Sequence, residues 1–161
     1  MEFINGGVTA AKGFTASGIH CGIRKNQTKK DLAMIKSEIR CSAAAVYTQN
    51  KVYGAPITVT RANLSDGMAQ AVIVNSGNAN TCNHDGVEKA ERMCEIAAEA
   101  MSTDKNDVIV ASTGVIGMSL DVTPIAESAD VLARQMSAEG GHDAAEAIMT
   151  TDTVAKECAV T

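Results

Sequence analysis

Three short segments bring together side chains and main chain suited to chemistry. Asn75-Ser76-Gly77-Asn78-Ala79-Asn80 and Ser112-Thr113-Gly114-Val115-Ile116-Gly117 each follow an apolar run, and Met149-Thr150-Thr151-Asp152-Thr153 crowds hydroxyls around a carboxylate. Glycine and asparagine tolerate left-handed backbone, so the first segment can turn several amides into one concavity for an oxygen atom. A tight turn built from turn-forming residues is the simpler reading, since such turns need no ligand to explain them. In the second segment Gly114 lets the main chain approach a reacting carbonyl, and Thr113 adds a hydroxyl donor. Together they suit an oxyanion hole, whose donors stabilise charge that develops only in the transition state. A strand-end turn needing glycine at positive φ accounts for the same residues. In the third, Thr150, Thr151, Asp152 and Thr153 can hold the polar groups of an amino acid or satisfy the free groups of a helix end. Asp152 also has Lys156 four residues on, an ion pair worth little on a surface.

A nucleophile with its base is missing from this set. The sequence has no Gly-x-Ser-x-Gly elbow, no phosphate-binding Walker loop and no Gly-x-Gly-x-x-Gly. His20, His84 and His142 stand in Gly- or Asn-rich stretches without a Ser or Cys partner and read as exposed loop residues. Five cysteines, Cys21, Cys41, Cys82, Cys94 and Cys158, are widely spaced and form no Cys-x-x-Cys pair. Ligand spacing for a metal is therefore lacking, no metal site is expected, and free thiols in a reducing cytosol are the simplest reading.

The elements that must position these segments follow from periodicity. Residues 31–39 alternate loosely and predict a half-buried strand, and residues 43–48 a second one. Residues 55–64 predict a short helix with Pro56 in its first turn, although Thr58, Val59 and Thr60 also suit a strand. The apolar runs 70–74 and 107–111 predict buried strands, the first closed by the Asn-rich segment and the second by the Thr-Gly segment. From Val87 to Met101 the apolar residues recur at three and four, predicting a helix with Asp85 as N-cap. A helix over 123–137 opens with Pro124, Gly140-Gly141 breaks it, and 143–149 starts another. The residues Ala155 to Val160 read as the opening of a strand. Strands separated by helices predict a layered α/β domain over residues 1–161.

Composition narrows the function. Hydrophobic residues make up 45% of the 161 residues and aromatic ones 2%, so the core is aliphatic. A net charge of −5 without tryptophan argues against a nucleic-acid partner. No apolar run is long enough for a bilayer, so no membrane partner is expected, and the start lacks the basic and apolar regions of a signal peptide.

Five motifs in order resemble one family: Gly6-Gly7-Val8-Thr9-Ala10-Ala11-Lys12-Gly13-Phe14, Ser42-Ala43-Ala44-Ala45-Val46-Tyr47-Thr48, the Asn75–Asn80 segment, Ala111 to Gly117, and Ile148 to Thr153. The chain is similar to the α chain of the glutamate N-acetyltransferases, also called ornithine acetyltransferases (ArgJ). The resemblance implies a layered αββα sandwich rather than a Rossmann fold. It implies a cytoplasmic enzyme of arginine biosynthesis that moves acetyl from N-acetylornithine to glutamate through an acyl-enzyme, without a cofactor. Some members also accept acetyl-CoA as donor. In that family a precursor cuts itself before a threonine, which becomes the N-terminal nucleophile of a β chain, and the assembly is α2β2. Carried over by motif, Thr113 and Gly114 form the oxyanion hole and Thr150 binds substrate, with Thr151, Asp152 and Thr153 as further contacts. A hydroxyl nucleophile with a terminal amine as its base suits this chemistry. The family's substrate lysine in Ala-Lys-Gly-Ser-Gly and its Asn-Met-Ala-Thr-Met-Leu cleavage site do not occur here and are expected downstream of residue 161. Ala11 stands where proline is expected. The missing nucleophile keeps a second reading open, a non-catalytic domain that binds a small amino acid or serves in assembly.

Overall fold

The computed structural model describes residues Met1–Thr161, and its centre is a four-stranded sheet. In chain order the strands are β1 (Phe3–Ile4), β2 (Phe14–Ile19), β3 (Leu32–Ser42), β4 (Met68–Asn78), β5 (Val108–Val115) and β6 (Ala159–Val160). The helices are α1 (Ala55–Asn63), α2 (Gly86–Met101), α3 (Thr123–Arg134) and α4 (Gly141–Ala147). The sheet runs β2-β3-β4-β5, antiparallel except for the parallel pair β4 and β5, while β1 and β6 pair as a separate antiparallel ribbon. The β4–α2–β5 crossover is what allows that parallel pairing.

Strand alternation divides the side chains between two faces. Leu32, Met34, Ile73, Val108 and Val110 meet Val59 of α1, Met93 and Ala97 of α2, and Ile125 and Leu132 of α3 in the main core. The helical period expected over 87–101 is therefore real, although Val87 itself is 42% exposed. On the other face Ala16 and Ala33 pack against Ala144 and Ala147 of α4. These are small residues, and they let α4 sit on the strands: a Cβ on Gly18 would lie 2.1 Å from the Asp143 carbonyl oxygen. Phe14, Ile35, Val72 and Ile109 continue this face half-buried, lining a groove of about 160 Å³. One helical layer and one sheet of a layered sandwich are thus present, with α4 over part of the second face.

Several expectations need correction. Residues 43–48 form no strand, because the ladder ends where Ser42 pairs with Met68, the first residue of β4. Tyr47 instead lies under the Arg61 guanidinium, 4.7 Å from ring centroid to carbon. The strand β2 was not expected, since Phe14-Thr15-Ala16-Ser17-Gly18-Ile19 alternates only weakly in hydropathy. Helix α3 stops at Arg134 rather than 137, where Ser137 bridges to Ala16 of β2, and α4 occupies 141–147 rather than 143–149. Asp85 stands at the N-cap of α2 but its side chain caps nothing; it accepts from Ser119 Oγ at 2.9 Å, which holds its carboxyl below the ordinary range. His142 lies within α4 rather than in a loop. The expected C-terminal strand is present as β6. No helix is long and apolar enough to cross a membrane.

Candidate functional site

The two glycine-bearing segments, expected as separate turns, are paired with each other. Strand β4 continues through Asn75–Asn78 and β5 through Ser112–Val115, in parallel register Asn75 to Ser112, Ser76 to Thr113 and Gly77 to Gly114. Beyond them Ala79 N donates to the Val115 carbonyl and Gly117 N to the Thr81 carbonyl, both at 2.9 Å. Gly114 has φ +135 and is stacked so closely on β4 that a Cβ would fall 2.3 Å from the Gly77 carbonyl carbon. No other residue type fits there without moving one strand.

The asparagine amide nitrogens are occupied internally, whereas the buried Asn75 Oδ1 and Asn80 Oδ1 have no partner. Asn75 Nδ2 donates to the Asn78 carbonyl and Asn78 Nδ2 to the Met118 carbonyl, both at 2.9 Å. Asn80 Nδ2 donates to the Gly86 carbonyl at 2.8 Å, and Asn78 Oδ1 accepts from Asn80 N at 2.8 Å. Asn75, Ser76, Asn78 and Asn80 are all buried. Asn75–Asn78 are thus strand rather than the expected tight turn, and the Asn78 side chain helps fix the turn after β5.

Strand β5 is an edge, and its outer row of main-chain groups is managed unevenly. Thr60 Oγ1 of α1 both donates to the Val110 carbonyl at 2.9 Å and accepts from Val110 N at 3.1 Å. Asn63 Nδ2 covers the Val108 carbonyl at 2.8 Å. In a parallel strand alternate residues aim both main-chain groups at the same side. The outward groups of Val108 and Val110 therefore continue at Ser112 and Gly114, past the reach of α1. Thr113 is half-buried and Gly114 exposed. Beside them a recess of about 320 Å³ is lined by Tyr47, Ile57, Thr60, Thr81, Ala111 and Ser112, and the buried Ser112 Oγ has no hydrogen-bond partner. The apolar run 107–111, read as a fully buried strand, gave no sign of this recess at its edge.

The third segment lies on the other side of β4. Ser76 Oγ, next to Thr113 in the ladder, donates to the Ala147 carbonyl at 2.6 Å. Arg24 spans the same gap, with Nε donating to Ser76 Oγ at 3.1 Å and Nη2 to the Met149 carbonyl. Thr150 follows directly and is half-buried, whereas Thr151 and Thr153 are exposed. The Asp152 carboxylate is taken by Lys156, which holds its pKa below the ordinary range. Arg24 is itself set by Asp31, fully buried at the start of β3, whose carboxylate accepts from Cys21 N at 2.6 Å and Arg24 N at 2.8 Å. Burial, and then the negative Asp31, push the Cys21 thiol up to about 12. Neither Arg24 nor Asp31 figured among the expected site residues. A carboxylate at the head of an apolar strand was the available signal.

The ArgJ family model matches residues 15–161. Curated relatives named arginine biosynthesis bifunctional protein ArgJ include those of Caldanaerobacter subterraneus subsp. tengcongensis, 44% identical, and Symbiobacterium thermophilum, 47% identical. Each alignment takes in 99% of this chain, and the chain spans 40% of the length of those relatives. The fold agrees with a crystal structure of ArgJ from Bacillus halodurans at a TM-score of 0.87 and 43% identity, over 95% of this chain and 81% of that one. It agrees with ornithine acetyltransferase from Mycobacterium tuberculosis, solved in complex with ornithine, at 0.89 and 37% identity, over 95% and 84%. With family model, sequence identity and superposition all in accord, the chain belongs to the ArgJ family.

Proposed function

We propose that this chain is the α part of an acetyltransferase of arginine biosynthesis that moves the acetyl group of N-acetylornithine to glutamate. The reading rests on the end of β5, where the exposed Gly114 is pressed against Gly77 beyond Val110, which α1 hydrogen-bonds, and where strand alternation turns its amide outward. Such an amide, with the Thr113 hydroxyl, is a preorganised donor set for an oxyanion. The names of the relatives, and the ornithine bound in one of them, support the substrate class.

In the proposed reaction a threonine hydroxyl at the start of a β chain attacks the acetyl carbonyl, its proton passing to the neighbouring terminal amine. Thr113 and Gly114 hold the resulting oxyanion. Collapse breaks the C–N bond, ornithine leaves with the proton, and an acetyl ester remains. The glutamate amine then attacks that ester through the same oxyanion hole, and the threonine hydroxyl is regenerated. Thr150 binds substrate from across β4, with Thr151 and Thr153 as outer contacts. Asp152 contributes through its pair with Lys156 or after releasing it. The recess beside Ser112 is at the lower end of ligand-pocket size, which suits an amino-acid-sized substrate. Acetyl-CoA is a second donor, and no cofactor takes part. Residues 1–161 act as one unit of the self-processed precursor, in an α2β2 assembly in the cytosol. The half-buried strip of Phe14, Ile35, Val72 and Ile109 is where the second sheet of the sandwich packs.

The test is to assemble this chain with the remainder of its precursor and follow transfer from N-acetylornithine to glutamate. Transfer that falls about 100-fold when Gly114 is made bulky supports the reading. A correctly assembled complex without transfer overturns it, and leaves the amino-acid-binding alternative, which equilibrium binding of ornithine then decides.

A further inference from the structure

We propose that Arg24 is a positioning residue, which sets Thr150 against the Thr113–Gly114 strand end. The proposal rests on the acetyl-transfer reading of that site and adds a residue that its motifs do not include.

Helix α4 ends at Ala147, and the carbonyls of a helix's last turn have no partner within the helix. Two of the carbonyls here are anchored to the sheet by one pair of side chains. Ser76 Oγ donates to the Ala147 carbonyl, and Arg24 donates to Ser76 Oγ through Nε and to the Met149 carbonyl through Nη2. These hydrogen bonds tie residues 147–149 to β4, while the remaining ones are local, from Ile148 N to Ala144 and from Met149 N to Glu146. Thr150 is the next residue, so its place is inherited from the Met149 carbonyl.

The base of the guanidinium is equally constrained. Arg24 N is held by Asp31 Oδ2, and the side chain passes over Gly77, where a Cβ would lie 2.9 Å from Arg24 Cγ. Gly77 is the residue on which Gly114 rests. One arginine therefore touches both the glycine that supports the oxyanion segment and the carbonyl that precedes the substrate threonine. Its planar fork reaches two acceptors at fixed spacing, which a lysine ammonium on a flexible stem does not reproduce. Positive charge at the carboxyl end of α4 is favourable as well. Reaction rates respond to displacements of about 1 Å with losses near 100-fold, so a strut between the two halves of a site is a kinetic element.

The experiment uses the complete assembled enzyme with Arg24→Ala, Arg24→Lys and Ser76→Ala, comparing KM and kcat for N-acetylornithine per folded molecule. Arg24→Ala is expected to raise KM about tenfold and lower kcat/KM about 100-fold, with Arg24→Lys between it and the parent. An unchanged KM in folded Arg24→Ala, or activity lost only in proportion to unfolded protein, overturns the proposal. Where Arg24→Ala fails to fold, Arg24→Lys and Ser76→Ala decide by the same criterion. If the parent enzyme transfers no acetyl at all, the functional reading fails instead. The strut is then judged by amide hydrogen exchange, which must accelerate at Thr150 and Thr151 in folded Arg24→Ala and overturns the strut if it does not.

Discussion

A methyl group at position 114 would enter the backbone of the neighbouring strand. An alanine Cβ there lies 2.3 Å from Gly77 C, 2.6 Å from Asn78 N and 2.7 Å from Gly77 O. Carbon atoms in contact rest about 3.5–4.0 Å apart, so β4 must retreat by more than about 1 Å or the peptide of Gly114 must turn. Backbone held in a glycine-only region costs roughly 1–3 kcal/mol, and overpacking roughly 1–3 kcal/mol more. At about 2–4 °C per kcal/mol for a protein of this size, Gly114→Ala is expected to melt on the order of 10 °C below the parent. Gly117 supplies the control. It also has positive φ, +78, but a Cβ there meets nothing within 4 Å. Gly117→Ala therefore carries only backbone strain, roughly 1–2 kcal/mol, and should melt a few degrees lower. Thermal unfolding followed by circular dichroism, with acetyl transfer measured on the assembled enzyme, separates the two variants. If Gly114→Ala melts with Gly117→Ala and retains full transfer, the close pairing of β4 with β5 and the donor role at its end are both refuted.

Other outcomes follow from the same geometry. Asp31→Ala leaves the amides of Cys21 and Arg24 without their acceptor, a loss of roughly 3 kcal/mol or more, seen as a lower urea midpoint. Thr60→Val removes both hydrogen bonds to Val110 at nearly constant volume and should cost roughly 2 kcal/mol, read by the same titration. His142 Nδ1 meets Glu157 Oε2 at 2.5 Å, and this pairing raises the imidazole pKa above its ordinary 6.5. Because the folded value is the higher one, the contribution is complete below the unfolded value near 6.5 and disappears as pH rises through the folded value. Exchange of amides in residues 156–160 should therefore quicken on raising pH beyond the intrinsic rate change, and Glu157→Gln should abolish that excess. At pH 8 a thiol reagent should modify exposed Cys82 and Cys158 rapidly, while Cys21 and Cys94, both pushed up to about 12 by burial, stay unmodified until unfolding. Rapid labelling of Cys21 would contradict its place beside Asp31.

What sequence alone determined is the part governed by local periodicity and by motif order. Helix α2 was legible because Ala90, Met93, Cys94, Ala97 and Met101 repeat at three and four and therefore must share a buried face. The cores of β4 and β5 were legible as apolar runs, and five ordered motifs pointed to the family. Tertiary structure decided how those pieces meet. No local pattern tells that Asn75–Asn78 and Ser112–Val115 are partners in one ladder, since parallel pairing is set by the α2 crossover between them. Residues 43–48 have the composition of a strand, yet a strand exists only where a partner supplies hydrogen bonds, and β4 begins opposite Ser42. Strand β2 shows the converse, weak alone and held by β3 and α4. Arg24 was invisible for the same reason: its partners, Asp31, Ser76 and Met149, are 7, 52 and 125 residues away, and only folding makes them neighbours.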